Sequence, residues 1–561
     1  MSSLNQRAPW RGQISAAGIL IGCIGCIIIT ASSVYTALKM GALPWPTIFT
    51  SITALVLLRA AGRTSLNEAN VTQIIMSAGS MVAGGLAFTI PGIWMLGIGD
   101  EVSWAEMLGV ALAGTLLGLV CTALIRRRFV EESDLEYPIG TAAAETLMAS
   151  RAGGATGKRL FGSMAAAGIW CGLRDLAGVI PTMIGALPIP GVAFGIYNSP
   201  MLLSVGFLVG GAAVAFWLAG GLIANFGVIV GGGAAGLWDV ATAQGIVSSL
   251  GMGLMMGSGI GVVVRDILPG ALSGLRAGAH GDGARESAPA RALDKLDAGM
   301  LALFVATAAL LICLVLGISP LACLVVVILA FVTTIMSAQS VGQTGIDPME
   351  IFGLIVLLIV AALGETDQVR LFFVAGVVAV ACGLAGDVMS DFKTGRILGT
   401  EPRAMWVGQA VGALLGTAVS VAVMCALLNA YGADAFGPGK TFVSAQASVV
   451  ATMVSGIPSI GAFGLGLAAG IALYCLGIPS MMLGLGVYLP FYMTLSASLG
   501  ALVKVVYDRA AAKRREHDAD AGAAETSHEE TGIIVASGVL GGESIVGVLI
   551  ALMSVATGLL G

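Results

Sequence analysis

Charge is what this chain has least of. Only 11% of its 561 residues are Asp, Glu, Lys or Arg, where a soluble domain carries about a quarter, and the deficit excludes an ordinary water-soluble globule. Histidine is scarcer still. His280, His517 and His528 all fall in polar linkers, so the apolar segments hold no imidazole for zinc, haem or a proton relay, and any metal handled here arrives already chelated. There is no Walker A phosphate loop, and the longest polar stretches run to about thirty residues, which excludes an ATP-driven motor within this chain. No basic patch accompanies the net charge of -5, so nucleic acid is not expected as a partner. The nine cysteines lie inside or beside apolar runs, where a thiol is a small hydrophobe, and no disulfide is expected. Cys23-Ile-Gly-Cys26 has redox spacing but no thioredoxin-like context, so it reads as packing.

What is present is apolar surface and glycine. The sequence is 57% hydrophobic and contains 81 glycines, about twice the usual share. Small residues let helices approach closely where lipid supplies no drive between them. The apolar runs are unbroken over about twenty residues rather than alternating, which selects helices over a membrane barrel. The expected fold is an all-α polytopic membrane protein of about 14 to 16 spans with re-entrant or broken segments.

Along the chain, residues 1–13 form a short polar N-terminus, and the first span, Ile14 to Leu38, is too long for a signal-peptide core. Arg59 and Arg63, then Asp100 and Glu101, then Arg126 to Arg128 alternate sides as the positive-inside rule asks, which places the N-terminus in the cytoplasm. A span is expected over Leu160 to Ala186, and Pro138 to Ser150 is too short to cross. Residues 269–297 read as a flexible cytoplasmic linker between a first transmembrane repeat, 14–268, and a second, 298–561, the latter interrupted by a polar insertion at 507–531. The repeat rests on four short anchors in order: Gly41-Ala-Leu-Pro44 with Gly345-Ile-Asp-Pro348, Gly114-Thr115 with Gly416-Thr417, Ala144 to Ala149 with Val450 to Ser455, and Ile180 to Met183 with Ile478 to Met481. Whether the repeats run parallel or inverted stays open, because the loop charges point both ways.

Gly386 to Arg403 interrupts two long apolar segments with charge, and few stretches outside the linkers are as charged. Asp387 and Asp391 are four apart, hence on one helix face, with Lys393 beside them. A charge at the membrane centre costs about 2.5–3.5 kcal/mol on insertion scales, so such a cluster calls for water, a partner or a ligand. These acids could take a substrate amine or a chelated cation, with Lys393 answering a carboxylate; a structural ion pair at a helix end is the alternative. Glu145 is a single carboxylate in an Ala-rich segment, a candidate proton or substrate site whose alternative is a structural cap. Asn67, Glu68, Asn70 and Gln73 open a span, where capping accounts for most of the polarity, although Gln73 with Ser77 could line a polar path. Tyr35 and Lys39 end the first span, and Gln339 and Gln343 hold corresponding positions in the second half, which makes all four cavity candidates. Arg174-Asp175 reads as a neutralised pair, while Asp239 and Glu543 are lone acids in apolar surroundings, Glu543 being a proton site or a backbone cap.

Four motifs converge on one family: Asn67-Glu-Ala-Asn-Val-Thr-Gln73 with Ser77-Ala-Gly79, Tyr137-Pro-Ile-Gly-Thr-Ala-Ala-Ala-Glu145, Gly386-Asp-Val-Met-Ser-Asp-Phe-Lys-Thr-Gly395 and Ser537-Gly-Val-Leu-Gly-Gly-Glu543. Together they resemble the oligopeptide transporter family from about Ile14 to Leu560, closer to its yellow-stripe-like and bacterial branch than to its peptide branch. The peptide branch's Asn-Pro-Gly motif is missing, and its Lys-Ile-Pro-Pro-Arg is reduced to Gly399-Thr-Glu-Pro-Arg403. The resemblance implies proton-coupled symport of small peptides, glutathione-like thiols or metal chelates across a cell (inner) membrane, with no bound cofactor, the proton gradient as driving force, and a homodimer as an expectation. From another class, Asp387 and Asp391 at Asp-x-x-x-Asp spacing offer a magnesium site for a membrane enzyme acting on a lipid or isoprenoid phosphate. No second acidic motif or basic clamp supports it. A channel is disfavoured by the lack of a repeated filter sequence.

Overall fold

In a long apolar run the backbone has no water to bond, so it closes its hydrogen bonds within itself as a helix. A computed structural model shows this outcome over the residues it describes, which are 10–560 apart from 41–42, 44–45, 100–101, 134, 136, 150–154, 263, 266–297, 345–346, 456 and 516–524. Among the described residues ten helices are long and apolar enough to cross a membrane, and five further apolar helices have 10–17 residues. The protein is an all-α polytopic membrane protein. The proposed linker at 269–297 lies outside the described residues, and so does the centre of the polar insertion.

In chain order the helices are α1 (Ala16–Met40), α2 (Pro46–Ala60), α3 (Leu66–Ala87), α4 (Pro91–Met95), α5 (Trp104–Arg126), α6 (Pro138–Ala149), α7 (Ala155–Cys171), α8 (Pro200–Val209), α9 (Gly211–Leu222) and α10 (Val240–Val262). Then follow α11 (Ala298–Leu310), α12 (Pro320–Thr344), α13 (Met349–Ala362), α14 (Gln368–Gly386), α15 (Val388–Leu398) and α16 (Pro402–Tyr431). The last five are α17 (Ala445–Ser455), α18 (Ile460–Cys475), α19 (Ser480–Tyr488), α20 (Phe491–Arg515) and α21 (Glu525–Leu560).

The span expected over Leu160 to Ala186 is corrected by the structure. Helix α7 stops at Cys171, loosens through Leu176, and gives way to an antiparallel hairpin of β1 (Met183–Ile189) and β2 (Val192–Tyr197). Gly178 and Gly191 adopt positive φ there, and Pro181, Pro188 and Pro190 remove the donors a continuing helix needs.

The chain divides into two compact units, each drawing on both ends of the sequence. The first comprises Met1–Ala37, Trp45–Met148 and Val262–Leu428, and the second Leu38–Pro44, Ala149–Gly261 and Asn429–Gly561. In the first, α3 is buried along its whole length from Glu68 to Ala87, and α14 likewise from Leu371 to Gly386. A helix buried on every face is apolar all round or carries paired polar groups. α14 is the former until its last turn, and α3 is the latter from its first. In the second unit an apolar cluster of Ala224, Val247, Leu254, Val487 and Phe491 packs against the hairpin residues Val192 and Phe194.

Candidate functional site

The first unit's polar core is built where α14 passes into α15. Asp387 sits at that joint in helical geometry, and Asp391 lies in the first turn of α15, 1% exposed. Ser77 on α3 donates to Asp391 Oδ2 at 2.6 Å, while Oδ1 is enclosed without a hydrogen-bond partner among the described residues. From Ser77 a polar stripe runs back along α3. Thr50 donates to Gln73 Oε1 at 3.0 Å, Gln73 Nε2 reaches Asn70 Oδ1 at 3.5 Å, and Asn70 Nδ2 reaches Thr400 Oγ1 at 3.3 Å. Thr400 in turn donates to Asn67 at 3.1 Å. Spacings of three, three and four put Asn67, Asn70, Gln73 and Ser77 on one helix face. The stripe therefore ends on Asp391.

Close backbone approach explains the glycines around the acids. A side chain at Gly386 would collide with Ser337 and Asp347, and one at Gly140 would overlap the Ser390 carbonyl. The Gly140 contact docks α6 on α15, and Thr394 fixes it by donating to the Gly140 carbonyl at 2.7 Å. Two of the sequence motifs thus meet in one place. Tyr137, at φ 47°, starts α6; its hydroxyl donates to the Ala338 carbonyl at 3.1 Å. Glu145 lies further along α6, and its side chain is outside the described residues, as is that of Gln343 on α12. Gln339, on the same helix, is half-buried.

Sequence reading missed two members of the core. Asp347 precedes α13, and Glu350 lies in its first turn, 3% exposed. Both Asp347 oxygens are enclosed without a hydrogen-bond partner among the described residues. Asp347 and Glu350 both act electrostatically on Asp387, as does Asp391. The available signal was Asp347-Pro-Met-Glu350, two acids three apart at the head of an otherwise apolar run. Among the described residues no Lys, Arg or His forms an ion pair with any of the four acids; the ion pairs lie elsewhere. Lys393, expected to answer a carboxylate, donates to the Leu135 carbonyl at 2.7 Å. No group of three or more His, Cys, Asp or Glu among the described residues could hold a metal ion.

The remaining candidates lie apart from this core. Glu68 pairs with Arg63 at 2.5 Å and accepts from Ser15 at the outer end of α3. Tyr35 is buried on α1. In the second unit Glu543 is fully buried and satisfied: Ser199 Oγ donates to its two oxygens at 2.8 and 2.9 Å, Met201 N–H at 2.8 Å and Arg174 Nη2 at 2.9 Å. It closes the N-terminus of α8, of the two readings of Glu543 the one in which it serves as a backbone cap. Arg174 also binds Asp175 at 2.6 Å and stands 5.2 Å from the Tyr197 ring, over which Lys39 also lies at 5.2 Å. Asp239, read as an acid in apolar surroundings, is exposed and accepts the Thr242 N–H at 2.8 Å.

Buried helices enclose a polar core in the first unit, and sequence comparison shows the class of protein to which that core belongs. The profile described as OPT oligopeptide transporter protein matches residues 13–554, and the chain belongs to that family. A Haemophilus influenzae protein that bears the name of an oligopeptide transporter is 25% identical over 612 residues, covering 93% of each chain. Shorter stretches resemble metal-nicotianamine transporters named YSL2: 36% identity over 102 residues with the Oryza sativa protein, 17% of this chain and 14% of that one, and 38% over 105 residues with the Arabidopsis thaliana protein, 17% and 15%. Members of the family are transporters, which removes the membrane-enzyme reading.

Proposed function

We propose that this protein is a secondary active transporter of the cell (inner) membrane that couples inward proton movement, by alternating access, to uptake of small peptides or peptide-like metal chelates. The substrate range follows what the named relatives carry. One observation carries the coupling: Asp387 and Asp391 lie inside the first unit, with no cation paired to them among the described residues. Two carboxylates left charged so close together in a poorly solvated core repel one another, and a proton removes both costs. Ser77 holds Asp391 in place whether or not it is ionised, since a hydroxyl both donates and accepts. Alternating access is the means by which a secondary transporter carries a buried site from one membrane face to the other.

The test is uptake into proteoliposomes holding the full chain, with an imposed proton gradient and a probe set of trialanine, glutathione and iron(III)–nicotianamine. At least one probe accumulates only with the gradient, and Asp391→Asn abolishes that accumulation while leaving the folded, monodisperse protein. Gradient-independent uptake, or wild-type accumulation by the variant, refutes the coupling.

A further inference from the structure

Resting on that coupling, we infer that Asp347 and Glu350 form a second proton-holding station, joined to Asp391 through Asp387. The four acids do not surround one point. Asp391 faces Ser77 on α3, whereas Asp347 lies against Gly386, with Ser337 of α12 at the same place. Asp387 follows Gly386, against which Asp347 lies, and stands one helical turn before Asp391, which makes it the link between two lobes. The second lobe is built rather than incidental. Gly386 leaves room that the Ser337 hydroxyl fills and the Asp347 carboxylate borders, both Asp347 oxygens are enclosed without a well-formed hydrogen bond among the described residues, and the buried Asp391 Oδ1 is in the same condition across the joint. Among the described residues two thiols lie near this lobe, Cys382 of α14 and Cys121 of α5 beside it. Two unpaired acids held next to a third cannot all be charged, so protons are shared between the stations.

The proton is its own probe. Infrared titration of the full chain in lipid nanodiscs reads the carbonyl stretch of protonated carboxyl groups. Asp347→Asn and Glu350→Gln each remove part of the buried-acid band, and Asp387→Asn shifts the pH at which the rest titrates. Bands of Asp347→Asn and Glu350→Gln that superimpose on wild type overturn the second station. A wild-type band from this region that is absent altogether overturns both the station and the coupling reading, whereas a wild-type band with gradient-independent uptake overturns the coupling alone.

A separate set of observations points to an inverted duplication. Helices recur in order about 300 residues apart with matching lengths: α1 and α12 have 25 residues each, α2 and α13 have 15 and 14, α6 and α17 have 12 and 11, α7 and α18 have 17 and 16. Left-handed backbone recurs with them. Gly62 and Gly364 precede the capping residues Ser65 and Asp367, Gly97 pairs with Gly399, and the two non-glycine residues at positive φ, Tyr137 and Ser444, start α6 and α17. Their N–H groups bond the ends of exchanged helices, Tyr137 to Gly342 of α12 and Ser444 to Leu38 of α1.

Within the first unit, equivalent residues touch one another. Thr115 and Thr417 hydroxyls are 2.9 Å apart, and Gly383 lies against the Met81 carbonyl, both pairs 302 positions apart in sequence. Only a two-fold axis brings a residue onto its own equivalent. Along α5 and α16 the contacts run in opposite senses, Thr115 with Thr417 and Thr122 with Gln409, and along α3 and α14 Met81 meets Gly383 and Gly85 meets Val380. We infer that equivalent helices are antiparallel and the halves are inverted, the arrangement that lets two accessible states arise by exchanging the conformations of the halves. In the second unit the exchange recurs: α21 packs along α7 through Gly538 and Gly542, and α10 along α18 through Gly253 and Gly257.

Inversion puts equivalent loops on opposite membrane faces. A protease site inserted after Gly62 in the full chain is cut from one side of sealed vesicles, and one inserted after Gly364 from the other; sites after Gly97 and Gly399 give an independent pair should either insertion impair folding. Cleavage of both members of a pair from the same face overturns the inversion.

Discussion

Ser77 on α3 and Asp391 on α15, 314 residues apart in sequence, are joined by a 2.6 Å hydrogen bond in the buried core of the first unit. That bond is the last step of a polar stripe that begins at Asn67, and it ties two sequence motifs to one carboxylate. Removing the hydroxyl takes away the 2.6 Å bond that Asp391 accepts from this helix. Ser77→Ala is expected to cost about 1–3 kcal/mol of stability, as for a buried polar group deprived of its partner, and to displace the pH profile of gradient-driven uptake. An unchanged profile places Asp391 outside the coupling path.

The contact between Gly140 and Ser390 leaves no space for a methyl group. Gly140→Ala must therefore push α6 from α15, costing about 1–3 kcal/mol as overpacking does. A thermal melt reads the loss. Thr394→Val at the same contact removes the hydrogen bond without adding bulk and is expected to be the milder change.

Arg174 and Glu543 are both fully enclosed in the second unit and 2.9 Å apart. Removing the Arg174 charge strands Glu543, at about 3–5 kcal/mol, removing the Glu543 charge leaves Arg174 with Asp175 alone, and removing both restores much of the loss. Glu543→Gln and Arg174→Met are each expected to lower the melting temperature markedly, with the double variant melting above either. Additive losses would show that the two residues act independently.

Glu68 gives the opposite expectation. Its partner Arg63 is 42% exposed, and ion pairs at such positions contribute about 0–1 kcal/mol. Glu68→Gln is expected to leave both the melt and proton-driven uptake within error of wild type. A collapse of uptake would return Glu68 to the transport path.

Composition and the length of the apolar runs determined that this chain spans a membrane as helices: with 57% hydrophobic and 11% charged residues it belongs in lipid, and runs unbroken over about twenty residues satisfy their peptide groups there as helices rather than as barrel strands. The spacing of Asp387 and Asp391, the stripe from Asn67 to Ser77 and the Gly-rich motif between Gly386 and Gly395 were also legible, because helical periodicity is written locally. What each charge meets was decided by tertiary structure. Lys393 turns to the Leu135 carbonyl, Glu543 is held by Arg174 and the start of α8, and Asp347 and Glu350 join the acids from the head of a helix where sequence reading marked no site residue. Such partners lie up to hundreds of residues away, and only the packing of small residues that lets helices touch brings them within bonding distance.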